Sequence, residues 1–145
     1  MSADRTKRAE RVVDLRRRAV EQAQTLAAEA ARRVAEAEAA AREAEALWSR
    51  ESAAPAHGSA SSADLAEVNA WLRALRQRAD RAATQVGVAR AEAQRCHEAL
   101  VAARGELRRI ELWRDGLAAA ARATQDRKER TAADEVAARA VRRSL

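Results

Sequence analysis

Apolar residues recur along the second half of this chain at alternating steps of three and four. They run Leu65, Val68, Leu72, Leu75, Ala79, Ala82, Val86, Ala89, Ala93, Cys96, Leu100, Ala103, Leu107, Ile110, then Arg114, Leu117 and Ala121. Only Arg114 breaks the apolar rule. A seam held in this register predicts a very long helix packed along a partner helix in coiled-coil fashion. The first half has its own seam at Val12, Leu15, Ala19, Ala23, Leu26, Ala30, Val34, Ala37, Ala41, Ala44 and Trp48. Its opening steps follow an eleven-residue repeat, which favours a nearly straight or slightly right-handed path, whereas a strict heptad favours the opposite hand.

Between the seams lies Ser52-Ala-Ala-Pro-Ala-His-Gly-Ser-Ala-Ser-Ser62, a segment of turn formers and small residues that interrupts the helix. Asp64 and Glu67 follow at capping-box spacing. The expected organisation is a first helix over 1–51, a loop over 52–63 and a second helix over 64–143. A short connection between long helices makes them antiparallel neighbours. The fold class is therefore all-α: two long helices forming an antiparallel coiled-coil hairpin, the second helix longer than the first. At 1.5 Å per residue the helices span roughly 75 Å and roughly 120 Å. Folding back at the loop sets Trp48 near Glu67, Val12 near Ala103 and the N-terminus near Trp113. A C-terminal overhang then begins at about residue 115, close to Gly116, a candidate flex point.

Composition supports long helices. Hydrophobic residues make up 48% of the 145, much of it alanine, with one Pro, four Gly and no Phe or Tyr, which argues against a β-rich fold. An alanine hides little area, so stability must come from length and helix propensity. A single cysteine forms no internal disulfide and fits a reducing compartment. No apolar run resembles a signal-peptide core or a membrane span, so a soluble, cytoplasmic protein is expected.

Nothing in the chain assembles a conventional active site. His57 lies in the loop and His97 on the helix, with no further His and only Cys96 to make a metal set. Cys96 falls on the seam and reads as a small core residue. No phosphate-binding loop occurs, and no Ser/His/Asp group converges on a straight hairpin. The expectation is a non-enzyme with no catalytic residue, no metal and no cofactor.

Charge is unevenly placed around a net +6. Residues 1–18 carry seven Arg and Lys against three acids, 19–51 carry four Arg against seven Glu, and 127–145 carry six basic residues against three acids. The hairpin brings both basic segments to one end, with Arg5, Lys7, Arg8 and Arg11 beside Arg127, Lys128 and Arg130. Such an end is steered towards an acidic protein or a polyanion. Acids interleaved throughout and the lack of any reading motif argue against nucleic acid. The three tryptophans stand apart: Trp48 ends the first helix, and Trp71 and Trp113 flank the seam at equivalent heptad positions. They read either as local packing or as docking anchors.

The C-terminal residues carry a resemblance. Ile110-Glu-Leu-Trp-Arg-Asp-Gly-Leu117, then Asp126-Arg-Lys-Glu-Arg130, then Asp134-Glu-Val-Ala-Ala-Arg-Ala-Val-Arg-Arg143 resemble the end of FliJ proteins, the flagellar type III export stalks, whose injectisome counterparts are the YscO (SctO) group. Asp134, Glu135, Ala137, Arg139 and Ala140 match the family pattern, with Val136 where an aromatic often stands. The resemblance implies a bacterial stalk or coupling subunit whose joined termini enter the pore of a hexameric type III export ATPase. The loop end then meets the cytoplasmic ring of the export gate, and some members also handle empty export chaperones. It places ATPase contacts on Arg5, Lys7, Arg8, Arg11, Arg127, Lys128, Arg130, Asp134, Glu135 and Arg139. Gate contacts fall on Leu47, Trp48, Trp71 and Leu72. Association with a membrane would be peripheral, through partners only, at the cytoplasmic base of the export apparatus. The other reading is a generic coiled-coil adaptor or chaperone that homodimerises through the same seams.

Overall fold

The computed structural model describes residues 2–54 and 61–145. Two helices account for nearly all of them: α1, Ser2–Ala53, and α2, Ser62–Ser144. They pack as an antiparallel hairpin, and no strand occurs among the described residues. Helix α2 begins with a reciprocal cap. The Asp64 N–H donates to Ser61 Oγ and the Ser61 N–H to Asp64 Oδ2, both at 3.3 Å. This capping box uses Ser61 and Asp64, three residues earlier than the Asp64/Glu67 pair that the sequence suggests, because a serine hydroxyl at the cap can reach the free amide three residues on.

The chain divides into two compact units, 22–101 and the pair 1–21 with 102–145. Within 22–101 the buried or half-buried positions of α1 include Ala23, Ala27, Ala30, Val34, Ala37, Ala41, Ala44 and Trp48, and those of α2 include Leu75, Ala79, Ala82, Val86, Ala89, Ala93, Cys96 and Leu100. Two ion pairs join the helices there: Arg76 to Glu45 at 3.1 Å and Arg90 to Glu38 at 2.8 Å. Within the other unit Thr6, Ala9, Val13 and Val20 turn inward on α1, as do Ala103, Leu107, Ile110, Arg114, Leu117 and Ala121 on α2. Arg114 meets Glu10 at 3.7 Å.

These burial patterns correct the α1 seam. Its phase is heptad throughout, with Arg16 at one seam position, and Leu15 and Leu26 lie outside it at 61% and 55% exposure. An eleven-residue stretch would drift out of step with the heptads of α2 and lose the knob-in-hole match. The register also differs from the one obtained by folding the chain at its loop. Glu10 rather than the N-terminus marks the level of Arg114, and Trp48 lies at Arg76 rather than Glu67. The shift is about one heptad. Leu65 and Val68 are consequently half exposed, since α1 ends at Ala53, and every residue from Arg122 to Leu145 is exposed. The unpartnered part of α2 thus opens at Arg122, where the sequence places it near 115.

Candidate docking surfaces

Arg5, Lys7, Arg8 and Arg11 project from the first three turns of α1, all exposed. The Glu10–Arg114 ion pair sets their level against α2. By that register Arg127 lies about 20 Å along the helix axis beyond Arg114. Arg127, Lys128, Arg130, Asp134, Glu135 and Arg139 are likewise exposed, on helix that has no partner among the described residues. The two basic groups therefore follow one another along the axis and do not face each other. Arg127 donates its Nε to the Ala123 carbonyl at 3.4 Å; no ion pair forms among the described residues beyond Asp115, leaving these charges free for a partner.

The aromatic group divides differently. Leu47, Trp48 and Leu72 are half-buried, whereas Trp71 is 47% exposed. The Arg76 guanidinium lies over the Trp48 ring, 4.8 Å from its centroid, an arrangement favoured by the ring quadrupole. Hydrogen bonds to Asp80 first and Glu45 second hold Arg76 more firmly protonated than usual. A shallow groove is lined there by Trp48, Asn69, Leu72 and Arg73. Trp48 thus packs partly against Arg76, while Trp71 stays exposed.

Chemistry elsewhere is sparse. No group of three or more metal-ligating side chains gathers among the described residues; His97 is exposed, and His57 lies outside the described residues. Cys96 is half-buried on the seam, its thiol 3.8 Å from a Glu92 carboxylate oxygen. Glu92 is held below its ordinary value, chiefly by the hydrogen bond from Arg95. Arg114 is raised above its ordinary value, first by its hydrogen bond to Asp115. Its side chain is only 19% exposed, and fully buried Ala9 belongs to the same unit. Sequence reasoning missed that Leu15 leaves the seam and stands exposed on the same flank as Trp113. The signal was present in the heptad phase of Ala9, Val13 and Val20, which turns Leu15 outward.

No helix among the described residues is long and apolar enough to cross a membrane. No curated protein and no solved structure matches the chain. The model of the flagellar FliJ protein family matches residues 6–145, almost the full length. With its paired heptad seams, the chain belongs to the FliJ family of flagellar proteins.

Proposed function

We propose that this protein is the non-catalytic stalk subunit of the flagellar type III export apparatus, coupling a hexameric export ATPase to the export gate. The end carrying both termini enters the ATPase pore; Leu47, Trp48, Trp71 and Leu72 contact the cytoplasmic ring of the gate. The protein is held at the cytoplasmic base of the apparatus through these partners. Family membership supports a role in flagellar protein export. The observation that carries the finer reading is the stretch 122–145: continuous helix up to Ser144, exposed at every residue, with no partner segment among the described residues. A helix of this length, rich in exposed Arg, is suited to insertion between subunits lined with carboxylates. Such contacts speed association and weaken with salt, because screening shortens to roughly 8 Å at physiological strength.

The test is ATP turnover by the hexameric ATPase with full-length chain and with chain ending at Gln125, at low and high salt. The reading expects stimulation by the full chain, reduced by salt and lost on truncation. Equal stimulation by both forms rules out the extension as the coupling element. At the opposite end, Trp71→Ala is expected to weaken gate binding while leaving ATPase stimulation intact. Export chaperones remain a further partner class for the same protein, measurable by co-purification with an empty chaperone.

A further inference from the structure

The unit formed by 1–21 and 102–145 exposes apolar surface that the coupling function does not use. Leu15 is 61% exposed, Leu112 53% and Trp113 47%. Heptad phase places Leu15 and Trp113 on one flank of the hairpin, whereas Leu112 falls on the outer face of α2. With Ala9, Val13 and Val20 inward on α1, Val12, Leu15 and Ala19 fall on one flank of the seam. With Leu107, Ile110 and Arg114 inward on α2, Glu106, Trp113 and Ala120 fall on the flank next to them in an antiparallel pair. The Glu10–Arg114 ion pair puts Val12 and Trp113 at the same level.

We propose that the face shared by Val12, Leu15, Trp113, Gly116 and Ala120 docks an acidic amphipathic helix of another protein, apolar along its centre and carboxylate-bearing at its rim. Three observations favour that occupant. An aromatic anchor beside aliphatic side chains and arginines has the make-up of an interface centre. A Cβ at Gly116 would meet nothing within 4 Å, and Ala119, Ala120 and Ala123 continue an exposed, low floor along which a second helix can approach closely. The rim is basic. Arg5, Arg8, Arg11 and Arg18 stand exposed on α1 beside Leu15, none in an ion pair among the described residues, while Arg109 on α2 is already held by Glu106 at 2.8 Å. A second copy of this chain would bring the same arginines against their like, so charge disfavours self-association through this face. Interleaved acids and the apolar centre disfavour a nucleic-acid backbone. The face lies on the paired part of its unit, so the proposal goes beyond the coupling role of the 122–145 extension.

The probe is a synthetic helical peptide of about three heptads with a Leu/Ala face and a Glu rim, paired with one whose rim is Lys. Binding to the full chain is read by fluorescence anisotropy of the labelled peptide. The Glu-rim peptide is expected to bind saturably and the Lys-rim peptide more weakly. Leu15→Ser and Trp113→Ser each reduce affinity by roughly tenfold or more, with the circular dichroism spectrum unchanged because both side chains are exposed. The double variant Arg8→Glu/Arg18→Glu reverses the preference between rims and does not disturb the seam. Ending the chain at Gln125 leaves peptide binding intact, which separates this face from the ATPase-coupling reading. The proposal is overturned by absent or non-saturable binding, by equal affinity for both rims, or by displacement of the peptide by a short DNA duplex. Self-association of the chain that Trp113→Ser abolishes would overturn it as well.

Discussion

The two units are built on the same heptad plan and treat it differently. In 22–101 the seam is apolar from Ala23 to Trp48 and from Leu75 to Leu100, and two Arg–Glu pairs tie the helices along one flank. In the unit of 1–21 and 102–145 the seam carries Arg16 and Arg114, and the one inter-helix ion pair among its described residues, Glu10–Arg114, is longer. Leu15 and Trp113 face solvent there, and α2 runs on with no partner among the described residues. Exposed ion pairs contribute little stability, so the contrast lies in what each seam specifies. An uninterrupted apolar seam favours pairing alone. A seam with a charged position fixes register at a cost in stability.

The largest effect that would break this contrast is a charge placed in the intact seam. Val86→Asp buries an unpaired carboxylate at a 9% exposed position and is expected to cost about 2–4 kcal/mol. Thermal melting followed by circular dichroism should show a large fall in Tm, and an unchanged curve would contradict the register. Glycines come next. A Cβ at Gly87, Gly105 or Gly116 meets no atom within 4 Å, so each Gly→Ala substitution should stabilise by about 1 kcal/mol through helix propensity. Equal gains in both units would mean all three are merely tolerated. A loss at Gly116 alone would mark it as a flex point that the fold requires.

Arg114→Leu probes the seam charge directly. Replacing a nearly buried ion-paired arginine with an apolar side chain is expected to raise Tm, with slower amide exchange confined to the same unit. A fall in Tm would show that Arg114 stabilises the seam through Glu10 and Asp115. Arg114→Leu should also loosen register, detectable as a second set of amide signals.

The smallest effect is in pH. Glu92 titrates below its ordinary value of 4.5 in the folded chain, chiefly through Arg95. Its contribution is present above the unfolded value and is lost as pH falls through the folded one. Arg95→Ala should therefore lower stability slightly at neutral pH, converge with wild type at low pH and so flatten the profile below about pH 4.5; the effect is small because the pair is exposed. A variant profile that follows wild type throughout the acid range would remove Glu92 from the account.

Much of this protein was legible along its chain. The heptads of α2 from Leu72 to Ala121 turn inward without exception, including the charged break at Arg114, since burial on one helix has a period that needs no partner to be seen. The basic residues proposed for the ATPase were equally visible, because exposed charge declares itself in composition. The phase of α1 and the pairing of heptads were decided by tertiary structure. Alanine occupies so many α1 seam positions that successive heptads look alike, and registers seven residues apart differ little in buried area. Cross-helix groups break that tie: Glu38 and Glu45 with Arg90 and Arg76, and Glu10 with Arg114. Once α2 imposed its strict period on α1, Leu15 and Leu26 lost their places in the seam and Arg16 took one. The exposed face beside Trp113 follows from that choice, which belongs to the pair of helices and to neither sequence alone.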